Sequence, residues 1–432
     1  MLTTFVLSNI QEDLRTLDLR KKQPLVTAGY INKLNKIKVL HLIREEGEIS
    51  RADIVKRTGL SAPTITRISD DLINKEKLVS MAGMGVSRGG RRPKILRFNS
   101  RNNYVVGVDL GATFLRGAIS NLDGEFIMER EVPTEINKGF EGVMHQIAEL
   151  VDTLTSRELA KGKTVLGVGL AVAGLINKQT GIIEYSPVFD WKNVNIKTEL
   201  RKYISLPVFY DNVSRLTALG ELWYGIGESH SNFISVNLGY GIGAGIIADG
   251  KPFYGADGYS GEFGHIVLDS DSPIKGRDGI AGTLEALSSG YGIAEIAKVK
   301  VQKNDSGMLS SKNLTQDELT AKAVIEAAKL GDKLALEIFD EAIFYLGVGI
   351  DGLIKLFNPE KIVLSGGLTL SGDFLMNKLK KSISLHSMGN LSRKVEIVYS
   401  TFGENATLMG AFSMILIKVL NLEIDNNTLN TR

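Results

Sequence analysis

Two stretches of this chain share one design. "YVVGVDLGATFLRGAISNLDGEFI" (104–127) and "SVNLGYGIGAGIIADGKPFYG" (235–255) each run from an apolar, β-branched segment through a glycine turn into a second such segment and another turn. Each predicts a hairpin of strands. The two begin about 130 residues apart, so the body of the chain is expected to be a duplicated α/β fold with a cleft between its halves. "KIVLSGGLTLSGDFL" (361–375) adds a third strand followed by a glycine loop. Glycine after a strand lets backbone approach a phosphate closely. One such loop also serves any turn; three in this order carry more weight.

The chain has 432 residues, enough for two to four domains, and at 43% hydrophobic and 23% charged it can bury a sizeable core. It has no cysteine, which excludes disulfides, thiolate nucleophiles and any zinc site built on thiolates. No apolar run reaches the roughly 18 residues a membrane span needs. The start, "MLTTFVLSN", lacks the basic flank of a signal peptide. These features predict a cytoplasmic protein. The charge is uneven: residues 1–100 hold 19 Lys and Arg against 10 Asp and Glu, a net +9, and the remainder is −7. A basic front on an acidic body suggests a module that faces nucleic acid; a solvated charged surface would look the same.

The front reads as helices with their caps. "INKLNKIKVLHLIREEG" (31–47) has apolar residues at helical spacing and stops at Gly47. "SRADIVKRTGL" (50–60) opens with Ser50 as N-cap and Asp53 at the capping-box offset, and ends at Gly59. "SAPTITRISDDLINKEKL" (61–78) opens with Ser61 and carries Pro63 in its first turn. Two short helices around a glycine turn are a helix-turn-helix, with a scaffold hairpin as the alternative. The second helix is expected to bury Ile65, Ile68 and Leu72. Thr64 and Arg67 would then meet base edges, with Ser61 and Thr66 nearer phosphate. "LVSMAGMGVSRGGRRPKILRFN" (78–99) predicts two strands around a basic glycine turn. In such a wing Arg88, Arg91 and Arg92 suit a minor groove; a basic linker has the same composition.

Residues 207–221, "PVFYDNVSRLTALGE", predict a strand running into a helix, with a polar pair at the junction. Asp211 there reads either as a general base or as part of a helix cap, with Asn212 the N-cap proper.

The order of "VDLGAT", "GVGLAVAGLINKQTG", "DNVSRLTALGE", "NLGYGIGAGIIADG", "GEFGHI", "GTLEALSSG" and "NPEKIVLSGGL" resembles the ROK family of repressors, open reading frames and sugar kinases, from about residue 104 to about 415. "INKLNKIKVL", "SRADIVKRTGLS" and "GGRRP" resemble the winged-helix domain of its repressors. The resemblance implies an α/β chain. An N-terminal extension (1–24) would precede a winged helix-turn-helix with its basic wing (25–100). A two-lobed actin/hexokinase-like, ribonuclease H-like domain would fill 101–432, one lobe being roughly 101–211 plus the C-terminal helix and the other 212–404.

In the family's kinases the 207–221 segment takes the form Asn-Asp-x-Asn, and that Asp accepts the proton of the sugar hydroxyl. Aligned without a gap, the catalytic Asp falls on Val213, which accepts no proton. The first phosphate loop, typically Asp-x-Gly-Gly-Thr-Lys, is Asp109-Leu110-Gly111-Ala112-Thr113-Phe114 here. The second, typically Gly-Thr-Gly-x-Gly-Gly-Gly, is Gly239-Tyr240-Gly241-Ile242-Gly243-Ala244-Gly245. The tyrosine and two alanine methyls are expected to intrude on the phosphates. The family's three zinc-binding Cys positions hold Gly276, Asp278 and Thr283, so no metal is expected and ordinary packing should hold that loop. The sugar-facing set persists as Asn212, Glu262, His265 and Glu285, with Gly174 and Asn193 at the cleft edge.

The resemblance thus implies a sugar-responsive DNA-binding regulator, a repressor acting on operator DNA as a homodimer or tetramer, with no cofactor and no catalysis. The runner-up is an ATP-dependent sugar kinase with an appended DNA-binding domain, which requires Asp211 as base. A third reading is control by a phosphosugar or protein partner, with the cleft vestigial.

Overall fold

The computed structural model describes residues 28–84, 93–303, 309, 315, 317–389 and 394–419. The first helix, α1 (Ala28–Glu46), buries Ile37, Val39, Leu40 and Ile43 and stops at Gly47, whose φ is +68°. A short strand β1 (Glu48–Ser50) leads into α2 (Arg51–Thr58). Ser50 caps that helix by accepting the Asp53 N–H at 3.1 Å, and its hydroxyl donates to the Asp53 carboxylate at 2.6 Å. Gly59, at φ +71°, closes it. Ser61 caps α3 (Ala62–Asn74), with proline in its first turn and Ile65, Ile68 and Leu72 buried. Strands β2 (Val79–Met84) and β3 (Lys94–Phe98) complete an antiparallel sheet of order β1-β3-β2. These are the helix-turn-helix and wing that the caps and glycines predict.

The expected duplication is visible in the strand order. The first half pairs β4 (Asn103–Leu110), β5 (Phe114–Asn121), β6 (Phe126–Pro133), β7 (Thr164–Val172) and β11 (Val208–Asn212) in the order β11-β7-β4-β5-β6. The second half pairs β12 (Phe233–Leu238), β13 (Ile242–Ala248), β14 (Lys251–Pro252), β15 (Lys361–Ser365) and β16 (Glu396–Tyr399) in the order β14-β13-β12-β15-β16. In each half the first three strands are antiparallel and the last two run parallel to the first. A small sheet of β8 (Leu175–Ile176), β9 (Ile183–Ser186) and β10 (Trp191–Val194) rims the first half.

Helices cover the sheets. The first half carries α4 (Gly139–Ala160) and α5 (Ile196–Leu200). The second carries α7 (Leu284–Ser288), α8 (Gly290–Lys303), α9 (Ala321–Lys329), α10 (Lys333–Phe357) and α11 (Asp373–His386). Between the halves lie α6 (Val213–Tyr224), on β12 and β13, and α12 (Ala406–Val419), on β4 and β7. These two helices cross with their backbones touching. A Cβ on Gly410 would stand 1.7 Å from the Leu216 carbonyl oxygen, and one on Gly220 2.8 Å from the Ala406 carbonyl oxygen. No other residue fits at Gly410 without parting the helices.

The winged helix-turn-helix module is not a bead on a string. Its buried residues, from Val39 to Phe98, belong to one continuous apolar core with Leu216, Leu219, Leu222 and Trp223 of α6 and Leu408, Phe412 and Ile415 of α12. The Arg44 guanidinium lies 4.9 Å from the centre of the Trp223 ring, and the His41 ring lies 6.4 Å from it. His41 is 2% exposed. Desolvation, reinforced by Arg44, pushes its pKa down from 6.5 to about 4. The unfolded chain therefore binds the extra proton between those two values, and stability falls as pH falls through that window. The full gap corresponds to about 3 kcal/mol. His41→Phe is expected to flatten the loss of stability between pH 6.5 and 4.5, read as denaturation midpoints. An unchanged slope would assign the acid sensitivity to other groups.

Candidate functional site

Between the two halves lies a cleft with a volume of about 740 Å³. Gly174, Asn212, Glu262, His265 and Glu285 all line it, although they are scattered over more than 100 residues of sequence. Asn193 does not. It lies exposed in β10 at φ +54°, between Lys192 and Val194, which keep their in-register pairing with Tyr185 and Ile183 of β9.

Asn212 ends β11 and caps α6. Its amide oxygen accepts the Ser214 N–H at 2.9 Å and its amide nitrogen donates to the Gly174 carbonyl at 3.1 Å. Its neighbour Asp211 is not among the lining residues. One Asp211 oxygen accepts from the Arg215 Nε at 2.9 Å and from the Asn212 N–H at 2.7 Å, and the same guanidinium reaches the Ser260 carbonyl at 3.3 Å. Both side chains of this pair are largely buried. Asp211 thus belongs to the helix start, as the capping alternative has it, and Val213 lines the cleft.

The phosphate loops need one correction. Ala112 and Tyr240 line the cleft as expected, with Tyr240 52% exposed. Ala244 does not intrude there: it packs into the core of the second half. Strand alternation sends Gly243 and Gly245 to the opposite face, where Cβ atoms would come within 2.3 Å of the Ser214 hydroxyl and 2.2 Å of its carbonyl. Those two glycines let α6 lie on β13. The Ile242 N–H of the same loop donates to the Glu285 carboxylate at 3.0 Å. A donor that could meet phosphate is already bound to an anion.

Arg277 and Asp278 line the cleft as well, and sequence reasoning did not single them out as binding residues. The Arg277 guanidinium sits 4.7 Å from the Tyr240 ring centre, 5.9 Å from that of Tyr291, and its Nε is 3.8 Å from Glu285. The signal was a charged pair between glycines, Gly276-Arg277-Asp278-Gly279, which composition alone reads as a solvated turn. Burial pushes the Glu262 carboxyl above the usual carboxylate range, against the pull of His265 and Arg215. Asp109, half-buried at the cleft wall, is pushed up to about 6 by desolvation, with Arg116 working against it.

The three positions that hold zinc-binding cysteines in the family do not fit a metal here. Gly276 has no side chain, the Thr283 hydroxyl accepts the Ala286 N–H at 3.2 Å as the cap of α7, and only Asp278 offers a ligand. Among the described residues no three His, Cys, Asp or Glu converge to hold a metal ion. Leu268 and Ile274 of the loop pack against the core of the second half, as expected, and a polar contact is added: Asp278 accepts from the His265 Nδ1 at 2.7 Å.

On the front module, Ser61, Thr66 and Arg67 are exposed and Thr64 is half-buried. The Ser61 and Thr64 hydroxyls share a hydrogen bond of 2.8 Å, and Arg67 donates to the Asn32 side chain at 2.7 Å. Arg88, Arg91 and Arg92 lie outside the described residues.

A buried ion pair that loses one partner strands the other. Asp211→Ala is expected to lower stability by about 3–5 kcal/mol in chemical denaturation, and the paired change Asp211→Leu with Arg215→Met to recover most of that loss. A single-variant cost under about 1 kcal/mol is the value for a solvated pair, and would return Asp211 to the candidates for chemistry.

Over residues 105–418 the chain matches the ROK family, and over residues 34–78 it matches a winged helix-turn-helix DNA-binding family. The xylose repressor of Caldicellulosiruptor bescii is 31% identical over 392 residues, which cover 90% of this chain and 97% of that protein. The glucokinase of Halalkalibacterium halodurans is 32% identical over 327 residues, covering 76% of this chain and 99% of the kinase. Among solved structures, a ROK family transcriptional regulator homologous to the E. coli MLC protein matches with a TM-score of 0.76 at 27% identity, covering 90% of this chain and 99% of that one. Repressor and kinase relatives share the two-lobed domain, and the DNA-binding front adds the part that a regulator needs: this chain belongs to the ROK family.

Proposed function

We propose that this protein is a sugar-responsive, DNA-binding repressor of carbohydrate-utilisation genes that acts in the cytoplasm as a homodimer. The observation that carries the reading is the continuous core joining the cleft to the DNA-reading module. Helix α6 begins at Asn212 in the cleft and ends at Trp223 against Arg44 of the winged helix. A sugar that binds one arrangement of the lobes better than another must shift α6, and with it the winged helix. Linkage then requires operator DNA to weaken that sugar's binding by the same factor.

The cleft supports a hydroxyl-rich ligand. Asn212, Glu262, His265 and Glu285 offer an amide, an imidazole and two carboxylates, each able to pair with a buried hydroxyl. The similarity to xylose repressors makes D-xylose the first sugar to test. Phosphoryl transfer needs a base in reach and a loop open to phosphate. Val213 at the base position, the Asp211–Arg215 pair and the Glu285 carboxylate on the Ile242 N–H all argue that the protein is not a kinase. The similarity to glucokinases keeps that alternative in the test. On the DNA side we assign base contacts to Thr64 and Arg67, and phosphate or minor-groove contacts to Ser61, Thr66, Arg88, Arg91 and Arg92.

Thermal unfolding against single sugars, with Mg-ATP as a separate lane, tests the reading. A ligand at about 100 times its Kd adds about 2.7 kcal/mol of stability. A shift with D-xylose or another neutral sugar is expected, with none for Mg-ATP and no sugar-dependent release of ADP. ADP release that Asp211→Asn abolishes would overturn the repressor reading in favour of the kinase. Against duplexes selected by the wild type from genomic fragments, Arg67→Ala is expected to weaken binding at least tenfold, since a base contact is worth about 1–3 kcal/mol. Unaltered affinity and selectivity would remove Arg67 from the reading surface.

A further inference from the structure

We infer that Asp278 is a positioning residue for His265: its carboxylate holds the imidazole from behind and fixes the orientation of the ring at the wall of the cleft. The inference rests on the sugar reading of the cleft proposed above.

The geometry of the loop carries it. His265 ends a short turn, Phe263–His265, whose backbone is tied by the His265 N–H donating to the Glu262 carbonyl at 3.1 Å. Its side chain is about one-third exposed, at the wall of the cleft. Asp278 approaches the ring from the tip of the turn that the Lys275–Ala281 bridge closes, within the longer segment closed by the Val267–Thr283 bridge. Both Asp278 oxygens are engaged. Oδ2 accepts from the His265 Nδ1 at 2.7 Å and Oδ1 accepts the Ile280 N–H at 2.9 Å. The Gly276 N–H donates to the Ile280 carbonyl at 2.9 Å and fixes the turn itself. The Asp278 side chain is only 8% exposed, so water competes poorly for these contacts.

The chemistry follows from which atoms can donate. An ionised carboxylate only accepts, so Nδ1 must carry its proton toward Asp278. Nε2 is then the atom presented to the cleft, where the Glu262 carboxylate stands 3.7 Å away. In the neutral ring Nε2 is an acceptor, matched to a sugar hydroxyl that donates to it. A carboxylate behind a histidine fixes both tautomer and ring orientation, as it does behind metal-bound histidines. The interaction needs no metal, which agrees with the failure of Gly276 and Thr283 to offer ligands.

The test has one arm independent of any ligand. Long-range ¹⁵N–¹H spectra of histidine-labelled full-length protein, assigned with His265→Gln, report which ring nitrogen is protonated. Nδ1 of His265 is expected to be protonated in the wild type and unprotonated in Asp278→Ala. D-xylose affinity forms the second arm. Asp278→Ala is expected to raise the Kd about tenfold, and added formate, which fits the space of the lost carboxylate, to restore it where chloride does not. An unprotonated Nδ1 in the wild type overturns the proposal. So does a D-xylose Kd that is unchanged in Asp278→Ala, or raised without rescue by formate. Failure of the wild type to bind D-xylose sinks xylose as the effector, and the spectra alone then decide the role of Asp278.

Discussion

The backbone contact between α6 and α12 is the constraint on which the rest of the molecule depends. With Gly410 against the Leu216 carbonyl and Gly220 against Ala406, the two helices approach as closely as chains can. Each helix rests on the sheet of a different half: α12 on β4 and β7, α6 on β12 and β13. A side chain at the crossing would part the halves and with them the walls of the cleft. The same pair of helices also supplies the apolar surface on which the winged helix sits. One crossing therefore sets the cleft geometry and the seat of the DNA-reading module together. Packed interiors transmit such displacements because they yield little to strain.

The cleft between the halves has a glycine loop whose surroundings are already engaged by charged and aromatic side chains. Phosphate binding at a glycine loop uses free backbone N–H groups and a field that favours anions. Here the Ile242 N–H is bound to Glu285, and Tyr240 projects beside it under Arg277. Asp211 serves the buried guanidinium of Arg215. Three of the groups proposed to meet the sugar are anchored: Asn212 by the start of α6 and the Gly174 carbonyl, Glu285 by the Ile242 N–H, His265 by Asp278. Groups held in this way lose little conformational freedom when a ligand arrives.

The legible features were those whose cause is local. Ser50, Gly59 and Ser61 cap helices because the orphan N–H and C=O groups of a helix end need partners within a few residues. The two hairpins show their period-two patterning and turn glycines on the page, and their repetition foretold the matching strand orders of the two halves. Family order located Gly174, Asn212, Glu262, His265 and Glu285 at the cleft. It failed at Asn193, which stands exposed at φ +54° in β10 and does not line the cleft, and at Ala244, where alternation along β13 points the methyl into the core. A shift of one residue reverses the face of a strand, so neither outcome can be read from composition or order alone.

By itself, the sequence determined the elements, their caps, the duplication and the family, because these depend on residue type and on neighbours in the chain. Tertiary structure decided the rest. It turned Asp211 toward Arg215 and away from the cleft, brought Asp278 at the tip of a turn to His265, set Arg277 over Tyr240, and merged the winged helix with α6 and α12 into one core. Each of these is a contact between residues whose pairing follows from the path of the backbone through space, and no spacing along the chain encodes it.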